Sequence, residues 1–302
     1  MPWHTLTSEP DALGESPFWH DDALHWVDIA GRALLRWRAG SVQRWPLPGE
    51  PGCAAPVRGG GFVIALRDGI YRARGWGGAL ECVARLPYDP ATQRANDGKC
   101  DALGRLWVGT VYEGSPRQPL AALYCVDLRA GTPQVDCVLQ GAVTANGLAW
   151  PPGGGALYWT DTPSHAIRRW PCDERGYPRG AGEVFVQFPG KPEGWQPGDP
   201  GYGGRPDGAT VDAQGRYWCA MYEGGRVLQI APGGEILASH ATPALCPTMP
   251  CLGGEGLRTL FVTTARKGRP ADELARLPAS GHVLARQVEG AGLPVQACVV
   301  AG

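Results

Sequence analysis

The sequence predicts an all-β fold, a six-bladed β-propeller, and three observations carry this prediction. The 302 residues include 45 Gly and 29 Pro, and long helices tolerate neither residue in their interiors. Aromatic and β-branched residues fill the short stretches between them, which is typical of strands joined by tight turns. A theme of turn, strand, polar turn and strand then recurs six times, at intervals of about 40 to 60 residues.

Each copy of this theme starts with a Gly- or Asp-containing turn and continues into an alternating apolar strand. The copies begin at Asp21, Gly60, Asp101, Gly153, Asp212 and Gly256. Alternation such as Leu157-Trp159 fits strands that seal one face against a neighbouring blade. We therefore expect one propeller domain over residues 1–302, with a β-sandwich or two smaller all-β domains as the alternative. The Gly/Pro-rich segment 189–204 is expected to form a long loop over one face.

Charge and composition indicate which partners to expect. Lys plus Arg (28) nearly equals Asp plus Glu (29), so a nucleic acid or an anionic membrane is not an expected partner. No apolar run approaches the ~18 residues that span a bilayer, and the first ten residues show no secretory signal. We expect a cytoplasmic protein, a monomer or weak homo-oligomer, whose ten scattered Cys are reduced and buried.

Several common catalytic motifs do not occur in the sequence. It has no GxSxG, HExxH or P-loop pattern, and none of its six His has metal-ligand spacing. A nucleophilic-serine hydrolase and a His-rich zinc site are therefore not expected. Any metal must be held mainly by oxygen ligands.

Polar side chains stand just before a strand in four of the repeats. The four segments are GESPFW from Gly14, RANDGKC from Arg94, NGLAW from Asn146 and RPDGATV from Arg205. A lone Asn-Gly or Asp-Gly is ordinarily only a turn. The four segments share one phase of the repeat, however, so that in a ring they would point at a common axis. For Asp161 and Lys99 we expect structural roles, in a strand-end turn and in a surface or inter-blade contact.

These segments also carry a family resemblance. The pieces GESPFW, RANDGKCDALGRLWVGT, NGLAWPPGGGALYWTDT, RPDGATVDAQGRYWCAMY and LFVTTARKG run in order over most of the chain. In them the chain resembles the family of senescence marker protein (regucalcin), gluconolactonases and bacterial pentonolactonases, with xylono- and arabinolactonases as the most similar members. The resemblance implies a propeller with a metal site in its central channel.

The resemblance also implies roles for individual residues. It assigns the metal ligands to Glu15, Asn146 and Asp207, and the substrate-binding residues to Arg94, Asn96, Asp97 and Glu113. One amide and two carboxylates suit one divalent ion, Ca²⁺, Mg²⁺ or Mn²⁺ before Zn²⁺ or Fe²⁺. The expected substrate is a small sugar lactone of the pentono-1,4-lactone or glucono-lactone type, and the expected product is the aldonic acid.

In the mechanism we expect, the metal polarises the lactone carbonyl and a carboxylate takes the proton of the attacking water. Asp207 is the predicted catalytic base, and Asp97 or a second metal-bound water is the alternative. Three other functions stay open: a divalent-cation-binding propeller without lactonase turnover, a related propeller esterase or organophosphate hydrolase, and a protein-binding platform. Arg94 and Asn96 favour a polyol substrate, because sugar recognition needs many hydrogen-bond donors and acceptors.

Overall fold

Six four-stranded antiparallel sheets contain every β-strand of the part of the chain that is described. The structure is a computed structural model, and it describes residues 2–301. Each sheet takes four strands in which hydrogen-bonded neighbours follow one another along the chain, except that the last sheet also takes a strand from the N-terminal end. The sequence prediction of a six-bladed β-propeller is confirmed, and we call the sheets blades 1 to 6.

The first three blades come from residues 14–142. From the channel outward, their strands are β2 (Gly14–His20), β3 (Ala23–Asp28), β4 (Ala33–Arg38) and β5 (Ser41–Pro46) in blade 1; β6 (Pro51–Pro56), β7 (Phe62–Leu66), β8 (Gly69–Ala73) and β9 (Glu81–Arg85) in blade 2; and β10 (Gln93–Cys100), β11 (Leu106–Tyr112), β12 (Ala121–Asp127) and β13 (Gln134–Ala142) in blade 3.

The last three blades follow the same plan, and blade 6 closes the ring. Their strands are β14 (Ala145–Ala149), β15 (Ala156–Asp161), β16 (Ala166–Pro171) and β17 (Glu183–Gln187) in blade 4; β18 (Arg205–Val211), β19 (Tyr217–Tyr222), β20 (Arg226–Ile230) and β21 (Ile236–Ala241) in blade 5; and β22 (Pro247–Gly253), β23 (Thr259–Thr264), β24 (Leu284–Gln287) and β1 (His4–Thr5) in blade 6. Pairing of β1 with β24 joins the N-terminal end to the last sheet.

Helical structure is confined to short segments. The one α-helix of residues 2–301, α1 (Ala271–Arg276), lies in the connection between β23 and β24, and two 3₁₀ turns cover Thr162–Ser164 and Glu255–Leu257. Within this part of the chain, no helix combines the length and the apolar character needed to cross a membrane. The predicted long loop corresponds to the connection between β17 and β18, which contains no strand.

Six apolar clusters hold the ring together, one at each interface between neighbouring blades. Leu157 of blade 4, for example, packs with Trp107 and Leu123 of blade 3. Each blade thus buries both faces, whereas the alternation of the strands predicted that one face would be sealed against a neighbouring blade. Seven of the ten Cys are buried and all ten are free, but Cys82 and Cys137 are exposed, so the expectation that every Cys is buried was wrong.

A repeated tryptophan–aspartate hydrogen bond reinforces alternate blades. The indole Nε1 of Trp218 donates to Asp212 at 2.8 Å, and that of Trp107 donates to Asp101 at 2.8 Å. Both aspartates stand in the motif Asp-Ala-x-Gly-Arg-x-Trp and also bind the arginine of the motif. A buried carboxylate is costly unless it is hydrogen-bonded. In this motif the arginine and the tryptophan supply those hydrogen bonds to the aspartate in the turn between the first two strands of the blade.

We expect Asp212→Ala to lower the free energy of unfolding by about 3 kcal/mol, since it removes the acceptor of the buried Trp218 indole N–H and of Nε of Arg216. Chemical denaturation measures this loss. The control is Asp272→Ala, which removes an exposed ion pair with Arg276 and should change stability by less than about 0.5 kcal/mol. Equal effects of the two substitutions would contradict the structural role of the motif.

Candidate active site at the upper end of the channel

The first strand of each blade lies beside the first strand of the next blade, so that these six strands surround a central channel. We call the end at which they begin the upper end. In β2, β10, β14 and β18 the pairing with the second strand skips shortly after the strand begins, and two residues oppose one. Such bulges redirect side chains and are frequent beside active sites. The predicted site residues Glu15, Asn96, Asp97, Asn146 and Asp207 all stand at or next to these skips.

Two buried carboxylates from distant strands form the negative centre of the upper end. Glu15 of β2 and Asp207 of β18 are only 7% and 6% exposed. Burial raises the pKa of Glu15 well above its ordinary value, and the charges of Asp207 and Asp97 add to this effect. Burial also raises the pKa of Asp207 to about 8, against the opposing charge of Arg205. Ionising both carboxylates is therefore unfavourable in the protein alone, and a bound cation would offset that cost.

A directional chain of hydrogen bonds fixes the amide of Asn146. Its Oδ1 accepts from Nδ2 of Asn96 at 2.9 Å, and its Nδ2 donates to Oγ1 of Thr162 at 2.8 Å. The hydroxyl of Thr162 donates its only proton to the carbonyl of Pro206 at 2.9 Å, so Oγ1 must accept from Asn146. The amide can therefore not flip, and the second lone pair of its oxygen stays available to a ligand.

Glycine is required directly after Asn146. Gly147 has φ +65°, and a Cβ there would stand 2.6 Å from the hydroxyl of Tyr217. That hydroxyl instead donates to the carbonyl of Gly147 at 2.7 Å. The Asn-Gly pair is thus a bulge packed against the neighbouring blade as well as a turn.

Arg94 and Glu113 form the next layer outward. Arg94 donates to Oδ1 of Asn96 at 2.8 Å and to Glu113 at 3.1 Å, and Arg67 donates to the other oxygen of Glu113 at 2.6 Å. Partial burial tends to raise the pKa of Glu113, but the hydrogen bond from Arg67 and the charges of Arg94 and Arg67 outweigh it and hold the pKa below its usual range. Glu113 remains one-third exposed.

Asn96 has little capacity left for a substrate. Its Nδ2 donates to the carbonyl of Ala145 at 3.0 Å as well as to Asn146, and its Oδ1 accepts from Arg94. Both amide protons are therefore used within the protein. In this arrangement Asn96 positions Asn146, whereas Arg94 keeps further N–H groups to offer.

Asp97 joins two blades and faces the partly buried cation Lys99. Its Oδ2 accepts from the backbone N–H of Leu148 in blade 4 at 2.9 Å, whereas its buried Oδ1 has no hydrogen-bond partner within residues 2–301. Burial raises its pKa and the charge of Lys99 opposes this. Lys99 donates to the carbonyl of Ala209 in blade 5, which confirms the expected inter-blade contact, and Asp161 accepts two backbone N–H groups as a strand-end turn.

A separate cavity of about 630 Å³ occupies the lower end of the channel. Its lining includes Lys99, Met249 and the segment 293–296, which lies across this end. None of the predicted metal ligands contributes to it. Glu15, Asp207 and the hydrogen-bonded amides of Asn96 and Asn146 are all at the upper end, so we place the candidate site there.

Some residues of the site were not foreseen from the sequence. Thr162, which orients Asn146, lies in a 3₁₀ turn after β15; it ends the segment NGLAWPPGGGALYWTDT, but no role was predicted for it. Arg205 could have been found, because it precedes the bulge of β18 by the same interval as Arg94 precedes that of β10. Within residues 2–301 no three His, Cys, Asp or Glu side chains form a cluster able to hold a metal; the predicted ligand set has only two such residues, and its third member is an amide.

The fold and the site together define the class of protein: a six-bladed propeller with an oxygen-lined polar site at one end of its channel. The family described as "SMP-30/Gluconolactonase/LRE-like region" matches residues 13–266, and the chain belongs to this family. The resemblance seen in the sequence is thereby confirmed.

Individual relatives match over nearly their full length. The 6-deoxy-6-sulfogluconolactonase of Pseudomonas putida is 39% identical, with 95% of each chain covered. The L-arabinolactonase of Azospirillum brasilense is 33% identical, over 95% of this chain and 92% of its own. Among solved structures, a regucalcin of Agrobacterium tumefaciens, described as a calcium-binding protein, superposes with a TM-score of 0.85 at 26% identity, over 97% of this chain and 96% of its own.

The raised pKa of Asp207 predicts how the metal-free protein responds to pH. A carboxyl with a pKa of about 8 when folded and about 3.9 when unfolded stabilises the fold only while it is protonated. This stabilisation is complete below pH 4 and is lost as the pH rises towards 8, with a slope of at most about 1.4 kcal/mol per pH unit.

Because an asparagine side chain cannot ionise, Asp207→Asn should become more stable relative to the parent protein as the pH rises from 4 to 8. Urea denaturation in chelator at several pH values measures this difference. The exposed loop variant Asp199→Asn is the control and should show no such trend. A difference between Asp207→Asn and the parent that does not change with pH would contradict the assignment.

Proposed function

We propose that the chain is a sugar lactonase, which hydrolyses an aldonolactone to the aldonic acid with one divalent cation held by Glu15, Asn146 and Asp207. The observation that carries this proposal is the meeting of two buried, mutually repelling carboxylates with an orientationally fixed amide oxygen. Membership of the SMP-30/gluconolactonase/LRE-like family supports it.

The residues present fit a hard divalent cation. All three proposed ligands offer oxygen, the donor that Ca²⁺, Mg²⁺ and Mn²⁺ prefer. Glu15 and Asp207 accept hydrogen bonds only from the adjacent backbone N–H groups of Ser16 and Gly208, and from no side chain within residues 2–301, so both keep lone pairs for a ligand. A bound dication would supply Lewis acidity, polarising the lactone carbonyl and stabilising negative charge on its oxygen. The likeness to a regucalcin described as calcium-binding is consistent with such a site.

The relatives support a lactone as substrate and differ in the charge of that lactone. One is named for 6-deoxy-6-sulfogluconolactone, which carries a sulfonate, and the other for L-arabinolactone, which is neutral. Both substrates are aldonolactones, so ring opening to an aldonic acid is the reaction class that they share. We take a sugar aldonolactone as the substrate class.

The chain's own residues orient the lactone. Arg94, held by Glu113 and Asn96, keeps guanidinium N–H groups for substrate hydroxyls and is only 11% exposed. Because its geometry is fixed before substrate arrives, little conformational entropy is lost on binding. Glu113 accepts from two arginines and so positions Arg94.

Two carboxylates are placed to accept the proton of the attacking water. Asp207 is buried and accepts no side-chain hydrogen bond within residues 2–301, so one of its oxygens can bind the cation while the other accepts the proton. Asp97 offers a buried Oδ1 without a partner, but its Oδ2 holds Leu148 of the neighbouring blade. We assign the proton transfer to a carboxylate oxygen of Asp207 and the positioning of the β14 bulge to Asp97.

We expect Asp207→Ala to reduce kcat/KM for lactone hydrolysis by at least about 10³-fold, because it removes both a metal ligand and the proton acceptor. A pH-stat assay over γ- and δ-lactones of pentoses and hexoses measures this, with the spontaneous rate subtracted. The control is Asp199→Ala in an exposed loop. Full activity of Asp207→Ala would overturn the site assignment.

Removal of divalent ions should abolish turnover and their return should restore it. We expect exhaustive chelation to leave less than about 1% of the activity, and calorimetry to show one binding site that is lost in Glu15→Gln. Undiminished activity after chelation would exclude a metal-dependent reaction. Stoichiometric ion binding without turnover on any lactone would favour a calcium-binding propeller instead.

A further inference from the structure

Two blades carry a similar run of residues at the upper end of the channel. Blade 3 has RANDGKCDALGRLWVGTVYEG from Arg94, and blade 5 has RPDGATVDAQGRYWCAMYEG from Arg205. Each run starts with an arginine, passes through Asp-Gly and Asp-Ala-x-Gly-Arg-x-Trp, and ends in Tyr-Glu-Gly. In each innermost strand one further paired residue separates the arginine from the bulge. Arg94 and Arg205 therefore occupy equivalent positions in the two blades.

The glutamate that ends each run binds the arginine that starts it. Glu113 accepts from Arg94 at 3.1 Å, and Glu223 pairs with Arg205. Alternate residues of a strand face the same side, so Arg205 lies on the same side of β18 as Asp207. The charges of Arg205 and Arg94 both oppose the rise in the pKa of Asp207. The two guanidinium groups thus approach one buried carboxyl from two different blades.

Three groups hold the guanidinium of Arg205. The carboxylate of Glu223, which is only 5% exposed, accepts from its Nη1. The ring centroid of Tyr222 lies 4.9 Å from its Cζ, and the hydroxyl of Tyr202 lies beside it. Because an arginine fork held in this way loses little freedom on binding, Arg205 is oriented before a ligand arrives.

The hydroxyl of Tyr202 is itself held in a directional chain. It lies 2.8 Å from Nε2 of His165, and Nδ1 of the same ring lies 3.1 Å from the carbonyl of Pro163. A carbonyl can only accept, so in the neutral histidine Nδ1 carries the proton and Nε2 accepts from Tyr202. The oxygen lone pairs of Tyr202 consequently stay available to Arg205.

Anchoring the β17–β18 connection does not account for Arg205. Lys191 of this connection already lies 3.0 Å from the carboxylate of Glu223. Arg226, at the start of β20, donates to the carbonyl of Gly203 in the same connection at 3.1 Å. Two other cations therefore tie the connection to blade 5, and the position of Arg205 next to the channel requires a different explanation.

The charges around Arg205 favour a neutral partner. Three cations face three carboxylates in this group: Lys191, Arg205, Arg269, Glu223, Glu273 and Asp207. These charges balance, so the group does not require an additional anion. A guanidinium has five N–H donors, and the side chain of Arg205 remains 25% exposed. It therefore keeps donors for a neutral acceptor such as a sugar hydroxyl.

We propose that Arg205 is a second substrate-binding arginine, positioned by Glu223, and that it binds a different hydroxyl of the lactone from the one that Arg94 binds. This proposal rests on the proposed lactonase function and deepens its account of substrate recognition. The strand β14, which carries Asn146, packs against both β10 and β18. A lactone whose carbonyl lies at Asn146 thus has one arginine on each side.

The first test identifies the hydroxyl that each arginine recognises. It uses the faster substrate of glucono-1,5-lactone and L-arabinono-1,4-lactone, together with the monodeoxy forms of that lactone, at saturating metal ion. In the parent protein, removal of a hydroxyl bound by an arginine should lower kcat/KM at least about tenfold. Arg205→Gln should abolish this discrimination at one hydroxyl, and Arg94→Gln should abolish it at another.

The outcomes of this test are distinct. Arg205→Gln that lowers kcat/KM by one common factor for every lactone, or does not lower it at all, would overturn the proposal. Loss of discrimination at the same hydroxyl in both variants, or no discrimination in the parent, would also overturn it. The control Arg179→Gln, a cation near Asp173 at the lower end, should change none of the ratios. Hydrolysis of none of these lactones would instead overturn the proposed function.

The second test asks whether Glu223 acts through Arg205. Glu223→Gln keeps the shape of the side chain but weakens its bond to the guanidinium, so it should raise KM more than it lowers kcat, with the same hydroxyl affected. The double variant Glu223→Gln/Arg205→Gln should have a kcat/KM no lower than Arg205→Gln alone, because residues that act as a unit are not additive. Additive losses would show that Glu223 does not position Arg205.

Ion binding without lactone separates a substrate contact from an effect on the metal ligands. Arg205→Gln removes a positive charge near Asp207 and should therefore not weaken the binding of Ca²⁺ or Mg²⁺ in calorimetry. A loss of ion affinity that parallels the loss of activity would mean that Arg205 acts through Asp207, contrary to the proposal. Thermal unfolding verifies the fold of each variant. If Arg205→Gln does not fold, Arg205→Lys, which keeps the charge but lacks the planar fork, serves in the same comparisons.

Discussion

The mutual repulsion of buried carboxylates is the interaction on which the upper end of this propeller depends. Glu15 comes from blade 1 and Asp207 from blade 5, and burial raises the pKa of both. In the unfolded chain the two carboxylates would be far apart and hydrated, because burying them without a partner is unfavourable. Here the six apolar interfaces and the pairing of β1 with β24 hold the strands in a closed ring. The stability of the ring thus maintains a negative centre that an incoming cation would relieve.

Preorganisation of this centre comes from hydrogen bonds that cross blades. Arg94 and Asn96 in blade 3, Asn146 and Thr162 in blade 4 and the carbonyl of Pro206 in blade 5 form one donor-to-acceptor chain. Every link has a fixed direction, so no amide of the chain can rotate without leaving a buried polar group unsatisfied. The cost of orienting a ligand oxygen is therefore met when the protein folds.

Repetition made the fold predictable from sequence, and contacts between distant turns made part of the site unpredictable. The six strand motifs placed the blades, and the common phase of four polar segments predicted that they point at one axis, whereas the family resemblance supplied Glu15, Asn146 and Asp207 as the predicted metal ligands. The polar segments share one position in the repeat because a β-bulge near the start of each of four innermost strands redirects the side chains at that position. Thr162 lacked any such signal, because its role depends on a 3₁₀ turn meeting the start of β18. The prediction that Asn96 binds substrate did not anticipate that Asn146 and Ala145 already use both of its amide protons.

The charge pattern around the channel also bears on how the proposed reaction would end. Opening a lactone converts a neutral ester into a carboxylic acid, which ionises near neutral pH. In the proposed site the new carboxylate would lie at a dication that Glu15 and Asp207 already bring close to neutral charge, so the ion would attract the anion only weakly. Asp97, a third buried carboxylate close enough to raise the pKa of Glu15, would add repulsion. Weak attraction at the reacting end would favour release of the hydrolysed sugar acid.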